Sequence, residues 1–137
     1  MQPADPRPVR AGHALVTGGG RGMGVAIAAA LARRGCSISL LGRTAATLGQ
    51  TAQRLADEHG VPVHHALADI ADEAAVAAAV AACRERLGPV SVLVNNAGIA
   101  PSAPFLASDT ALWRRVLDVD LMGAVHATRA VLPDMLE

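Results

Sequence analysis

Along the chain, short apolar runs alternate with longer stretches in which apolar side chains recur at helical spacing. HALVTG (13–18), CSISLLG (36–42), PVHHALA (62–68) and PVSVLVNNAG (89–98) have the length and apolar content of strands. Between them, 23–34 sets Ile27 and Leu31 on one helical face, and 43–60 turns Leu48 and Leu55 inward before stopping at Gly60. Segment 71–88 reads as a third helix, capped by Asp72 at one end and Gly88 at the other. Residues 108–137 read as one long closing helix that starts from Ser108 or Asp109 and is kinked in its last turn by Pro133. Strict alternation of strand and helix predicts an α/β fold: a parallel, doubly wound sheet with right-handed crossovers and strand order 3-2-1-4. The fourth strand is apolar on both faces, as expected of one covered by helices on both sides.

Composition narrows the picture. The chain has 137 residues, of which 52% are hydrophobic and 18% charged, which is one domain's worth with enough apolar surface for a core. Twelve cationic side chains balance twelve anionic ones, so no charge excess points to nucleic acid or an anionic membrane. The longest apolar run, 76–82, lies between Glu73 and Arg84, far short of the roughly 20 residues of a membrane span. The proline-rich residues 1–11 carry no apolar secretory segment and read as a flexible leader to a cytoplasmic domain over 12–137.

Most conspicuous side chains take structural readings. Cys36 and Cys83 fall on different elements and read as buried thiols. His64 and His65 are neighbours on a strand and point to opposite faces, so they do not form one metal site. His13 and His126 lack ligand-spaced partners, Trp113 reads as core, and Arg114 and Arg115 read as solvated.

TGGGRGMG (17–24) lies between the first strand and the first helix. A turn at that point aims free backbone N–H groups and the positive end of a helix dipole at one spot, which suits a pyrophosphate; a plain flexible turn is the alternative. The spacing is not G-x-G-x-x-G, since Gly18 and Gly20 would be followed by Met23. It is T-G-x-x-x-G-x-G, met by Thr17, Gly18, Gly22 and Gly24. NNAG (95–98) follows the fourth strand and Asp69 ends the third. Singly, these residues also read as a turn and a helix entry; together they stand at the carboxyl ends of successive strands, where doubly wound sheets bind ligands.

This set of motifs, spanning about 12–137, resembles the short-chain dehydrogenase/reductase family. The resemblance implies a Rossmann-like fold binding a nicotinamide dinucleotide. The implied contacts are Thr17, Gly18, Gly20, Arg21, Gly22, Met23 and Gly24 in the loop, and Arg43 after strand two. They continue with Asp69 and Ile70 after strand three, and Asn95, Ala97 and Gly98 after strand four. An acid about 20 residues past the glycines marks NAD sites; here Gly42 stands there with Arg43 beside it, and Arg21 adds a second cation. A guanidinium attracts a 2′-phosphate that a carboxylate would repel, so the reading is NADP, with NAD possible and a solvated Arg43 as the alternative.

The family implies hydride exchange between nicotinamide and a small carbonyl or alcohol substrate, usually in a homo-oligomer. Its proton donor is a tyrosine assisted by a lysine, with a serine and an asparagine. All twelve cations here are arginine, and the sequence holds neither lysine nor tyrosine. The asparagine position falls on Asp120, and the sequence ends before the serine-bearing strand. The expectation is the NADP-binding portion of a short-chain oxidoreductase, inactive by itself; the alternative is a non-enzymatic dinucleotide-binding or interaction module.

Overall fold

The computed structural model describes residues 11–137, so the leader expected over 1–11 lies, but for its last residue, outside the described residues. Strands β1 (His13–Thr17), β2 (Ser37–Gly42), β3 (Val63–Leu67) and β4 (Val90–Val94) alternate with helices α1 (Gly22–Ala32), α2 (Ala45–His59) and α3 (Glu73–Leu87). All strand pairs are parallel and the order is β3-β2-β1-β4, as the alternation predicts.

Strand β1 is buried throughout and β2 at all but its two end residues, and alternate side chains feed two cores. On one face Val16, Ile38 and Leu40 pack with Leu48 and Leu55 of α2. On the other, Leu15 and Leu41 pack with Val76 and Val80 of α3 and with Val90 and Val131. Each such side chain, removed from water, contributes about 1.5–3 kcal/mol. Helix α1 turns Gly24, Ala28 and Ala32 to the sheet, leaving Ile27 and Leu31 only half-buried. Small residues on that face let the helix axis come close to the strands, and this one-residue rotation is what the apolar spacing alone did not give. Strand β4 lies at the sheet edge: Val90 is buried, while Leu93 packs against one core and Val92 and Val94 against the other, all three half-exposed.

The closing segment is not one continuous α-helix. Asp109 caps α4 (Thr110–Leu117) by accepting the Leu112 N–H at 2.9 Å. A widened π turn then spans Asp118–Met122, and α5 (Gly123–Leu136) follows, running through Pro133. The extra residue of a π turn re-aims the side chains around it. Val119 goes into the core while Asp120 turns to the backbone of Ile99. A Cβ on Gly123 would lie 2.8 Å from Ile70 Cγ1, so only glycine lets α5 cross here. Trp113 is not core. It is 48% exposed, rests on Phe105 with ring centroids 6.0 Å apart, and donates from Nε1 to Ser108 Oγ.

Beyond Pro133, Asp134 anchors α5 by accepting Arg84 Nε–H at 2.9 Å and Val90 N–H at 3.0 Å. The Arg84 hydrogen bond holds the Asp134 carboxyl below the usual carboxylate range. Close by, the buried His13 ring bridges strand and loop: Nδ1–H donates to Gly88 O at 2.7 Å. Nε2 is then the acceptor for the Ser39 hydroxyl, also at 2.7 Å. Both cysteines are buried, free thiols, and burial pushes the Cys83 thiol up.

Burial lowers the His13 pKa below 6.5, more strongly than its bond to Gly88 and the nearby Asp134 charge raise it. The unfolded chain therefore takes up this proton at a higher pH than the fold does. The stabilisation is complete above about pH 6.5 and falls as the pH drops from there toward the lower folded value. His13→Asn should flatten this acid slope in urea midpoints measured across the same window; an unchanged slope would show that His13 does not govern it.

Candidate functional site

The site begins where β1 ends. The buried Thr17 hydroxyl accepts N–H bonds from Asn96 and Ala97, each at 3.0 Å, and donates to Val94 O at 3.4 Å. It has no hydrogen left for a ligand. The Asn96 side-chain amide returns the link, donating to Thr17 O at 3.1 Å and Gly18 O at 3.2 Å. The glycine loop is thus tied to the end of β4 by two side chains, one from each strand.

Four glycines shape the loop, each differently, and two of them, Gly18 and Gly24, make that tie sterically possible. Gly18 turns the chain at φ +65°, and a Cβ there would lie 2.9 Å from Asn96 Nδ2. A Cβ on Gly19 would lie 2.7 Å from Leu40 Cδ2. A Cβ on Gly24 would strike the Gly18 carbonyl, so Gly24 lets α1 pack against the loop. Gly22, at φ +60°, has nothing within 4 Å of a Cβ and faces open space at the start of α1. Arg21 precedes the helix and makes no side-chain cap, so the N–H groups of the first turn keep no intrahelical acceptor.

The helix start at Arg21 and Gly22 opens on a cavity of about 560 Å³ at the carboxyl ends of the strands. Its walls are Gly18, Gly20, Arg21 and Gly22 of the loop, Gly42 at the end of β2 with Arg43 and Thr44 after it, Asp69 and Ile70 after β3, and 96–99 after β4. Arg115 of α4 closes one side. Asp69 is held from two directions: Oδ1 accepts the Ala71 N–H at 3.0 Å and Oδ2 faces the Arg115 guanidinium at 3.4 Å. The Ala71 bond first, then the Arg115 and Arg43 charges, hold its carboxyl below the usual range.

Of the residues singled out in the sequence, Met23, Gly24 and Asn95 do not line the cavity. Met23 is 73% exposed, Gly24 packs against the loop, and Asn95 donates to Thr128 Oγ1 of α5 at 3.3 Å. The neighbouring Asn96 is the one that faces the glycines; adjacent residues leaving a strand diverge, which is the signal that separates the two. Arg115 is not simply solvated but pairs with Asp69, a contact between residues far apart in sequence.

Asp120 lies beyond the cavity's β4 end, where Oδ1 accepts the Ile99 N–H at 2.7 Å. It borders a second cavity, of about 490 Å³, lined by Ile99, Pro101, Phe105, Trp113 and Val116 among others. Among the described residues no three His, Cys, Asp or Glu side chains gather as metal ligands. No described helix is long and apolar enough to cross a membrane.

The fold and this cavity define a Rossmann-like α/β protein with its site at the carboxyl ends of a parallel sheet. The sequence model described as "short chain dehydrogenase" matches residues 12–137. The chain belongs to the short-chain dehydrogenase/reductase family. It is 33% identical over 123 residues to an uncharacterized oxidoreductase of Staphylococcus saprophyticus, covering 90% of this chain and 53% of that protein. It is 41% identical over 117 residues to the L-tagatose-forming galactitol 2-dehydrogenase of Cereibacter sphaeroides, covering 85% of this chain and 44% of that one. The L-sorbose reductase of Gluconobacter frateurii, solved with NADPH and L-sorbose, superposes with a TM-score of 0.87 at 31% identity. That match covers 91% of this chain and 48% of the reductase. The chain thus spans about half the length of the relatives it matches.

The different roles of the glycines predict different costs. Gly22→Ala places a side chain in open space and should cost about 1 kcal/mol, from the positive φ alone. Gly24→Ala forces a methyl into the Gly18 carbonyl and should cost about 3 kcal/mol. Urea unfolding of both variants checks the order, and a Gly22 variant less stable than the Gly24 variant would contradict it.

Proposed function

We propose that this chain is the NADP(H)-binding portion of an oxidoreductase that exchanges hydride between a nicotinamide ring and a carbonyl or alcohol carbon. The observation that carries this reading is the uncapped start of α1 opening on a cavity lined by Gly42, where an NAD site has an acid, and by Arg43 beside it. The residues present fit the cofactor. The first-turn N–H groups suit the pyrophosphate, Arg21 and Arg43 the 2′-phosphate, Asp69 and Ile70 the adenine, and Ala97 and Gly98 the nicotinamide ribose. The NADPH bound in the related reductase supports the choice.

When bound, the cofactor supplies or accepts the hydride. What this chain's own residues do is hold and orient it. General acid catalysis contributes about 10²- to 10⁴-fold in rate, and the sequence holds no tyrosine or lysine for it. Asp120, at the family's asparagine position, accepts the Ile99 N–H and fixes the backbone beside the nicotinamide end. Asp120 uses one oxygen for that backbone bond and lies outside the main cavity, so it does not replace the missing tyrosine and lysine. The chain by itself therefore turns over no carbonyl substrate. The missing donor is also what favours the second reading, a dinucleotide-binding module without catalysis.

Trp113, Leu117 and Leu121 are exposed at four-residue spacing, and Leu132 and Leu136 continue the pattern along α5. A second copy of the chain is the partner proposed for this apolar stripe. Light scattering should report dimers or larger species that Leu117→Glu with Leu121→Glu dissociates; a monomeric wild type would refute it.

Cofactor choice is tested by calorimetric titration. NADP should bind about tenfold or more tightly than NAD, as expected for a charge-assisted phosphate contact. Arg43→Asp should reverse the preference by removing an attractive charge and adding a repulsive one. Trp113 is the sole tryptophan, so energy transfer from it to NADPH gives an independent reading. Equal affinity for both nucleotides, unaltered in the variant, would refute the assignment of Arg43.

A further inference from the structure

Helix α4 buries none of its own residues, yet one of its side chains reaches into the cavity wall. Arg115 sets both terminal nitrogens against a single oxygen of Asp69, at 3.4 Å and 3.5 Å from Oδ2. The other oxygen is already occupied by the Ala71 N–H. The carboxylate is therefore pinned from two sides, by the turn before α3 and by α4, while it still forms part of the cavity surface.

We infer that Arg115 is a positioning residue for adenine recognition, acting through Asp69. The inference rests on the NADP-binding reading given above. An ionised carboxylate only accepts hydrogen bonds, so it suits the exocyclic amino group of adenine. It opposes the oxygen that stands there in hypoxanthine, because two acceptors then face each other. How well the site tells these bases apart depends on the carboxylate's charge and on its orientation. Arg115 bears on both: it balances the charge at short range, and it stops rotation of the carboxyl group that the single Ala71 bond would otherwise leave free. A guanidinium that merely capped the end of α4 would not affect the choice between two bases. The Arg43 guanidinium also acts on Asp69, but only through its charge.

The experiment compares NADP with its hypoxanthine analogue by calorimetry on the full chain, in the wild type, Arg115→Met, Arg115→Lys, Asp69→Asn and the Asp69→Asn/Arg115→Met double variant. The wild type should favour NADP by about tenfold or more, as a charge-assisted contact set against an opposed acceptor implies. Arg115→Met should cut that ratio at least threefold, and Arg115→Lys, which keeps the charge and a donor, should recover most of it. In the Asp69→Asn background, losing Arg115 should change the ratio no further, the mark of two residues acting as one. The Lys variant guards against a Met variant that fails to fold, and circular dichroism monitors both. Full discrimination in a folded Arg115→Met, or an equal loss with Asp69 already replaced, would overturn the inference and leave the NADP reading intact. A folded wild type that binds neither nucleotide would overturn both.

Discussion

The close approach of the glycine loop to the end of β4 is the constraint on which the site depends. Thr17 and Asn96 tie the two together, each using backbone groups of the other's strand. These polar groups are largely shielded from water, so an unpaired partner would cost about 1–3 kcal/mol. Once the tie is made, any Cβ at Gly18 or Gly24 collides with it. The glycines at these two positions are thus required by Asn96 and the loop carbonyl, not by the ligand. Among the loop glycines, Gly22 has no protein neighbour within 4 Å of a Cβ and opens on the cavity.

From that tie the remaining geometry follows by contact. The loop fixes the start of α1, and the uncapped first turn supplies the positive pole of the cavity. Arg21 and Arg43 flank it, and Asp69 is the one acidic side chain in the lining. On the far side, the π turn at Asp118–Met122 takes the chain from α4 to α5 while sending Asp120 back to Ile99. Two polar contacts, Arg115 to Asp69 from α4 and Asp120 to Ile99 from the π turn, thus join this stretch to the carboxyl ends of β3 and β4.

Much of this was legible in the sequence because periodicity and glycine spacing are local. Strand–helix alternation gave the sheet order, and Asp72, Gly60 and Gly88 marked helix ends where the structure has them. The departures come from relations that only packing decides. Helix α1 fully buries Gly24, Ala28 and Ala32, while Ile27 and Leu31 are half-buried, Leu31 at the edge of the core. Trp113 has the apolar character of a core residue but falls on the outer face of α4, against Phe105. The break at 118–122 contains no proline; there Asp120 accepts the Ile99 N–H while the neighbouring Val119 is buried, a pairing set by distant residues. Pro133, which does carry a break signal, lies within α5 and does not end it. Arg115 and Asp69 stand 46 residues apart, beyond the reach of any local pattern.

The most direct test of the account is residue-resolved: amide chemical shifts of the isotopically labelled chain, followed by NMR as NADP is added. The N–H groups of 18–24, whose first-turn members have no acceptor of their own, should shift most, together with those of 97–99 and of Arg43 and Ile70. Amides at the opposite end of the sheet, around His13 and Gly88, should stay where they are. Shifts confined to the outer faces of α4 and α5, or none at saturating NADP, would contradict the assignment of the glycine loop as a phosphate cradle.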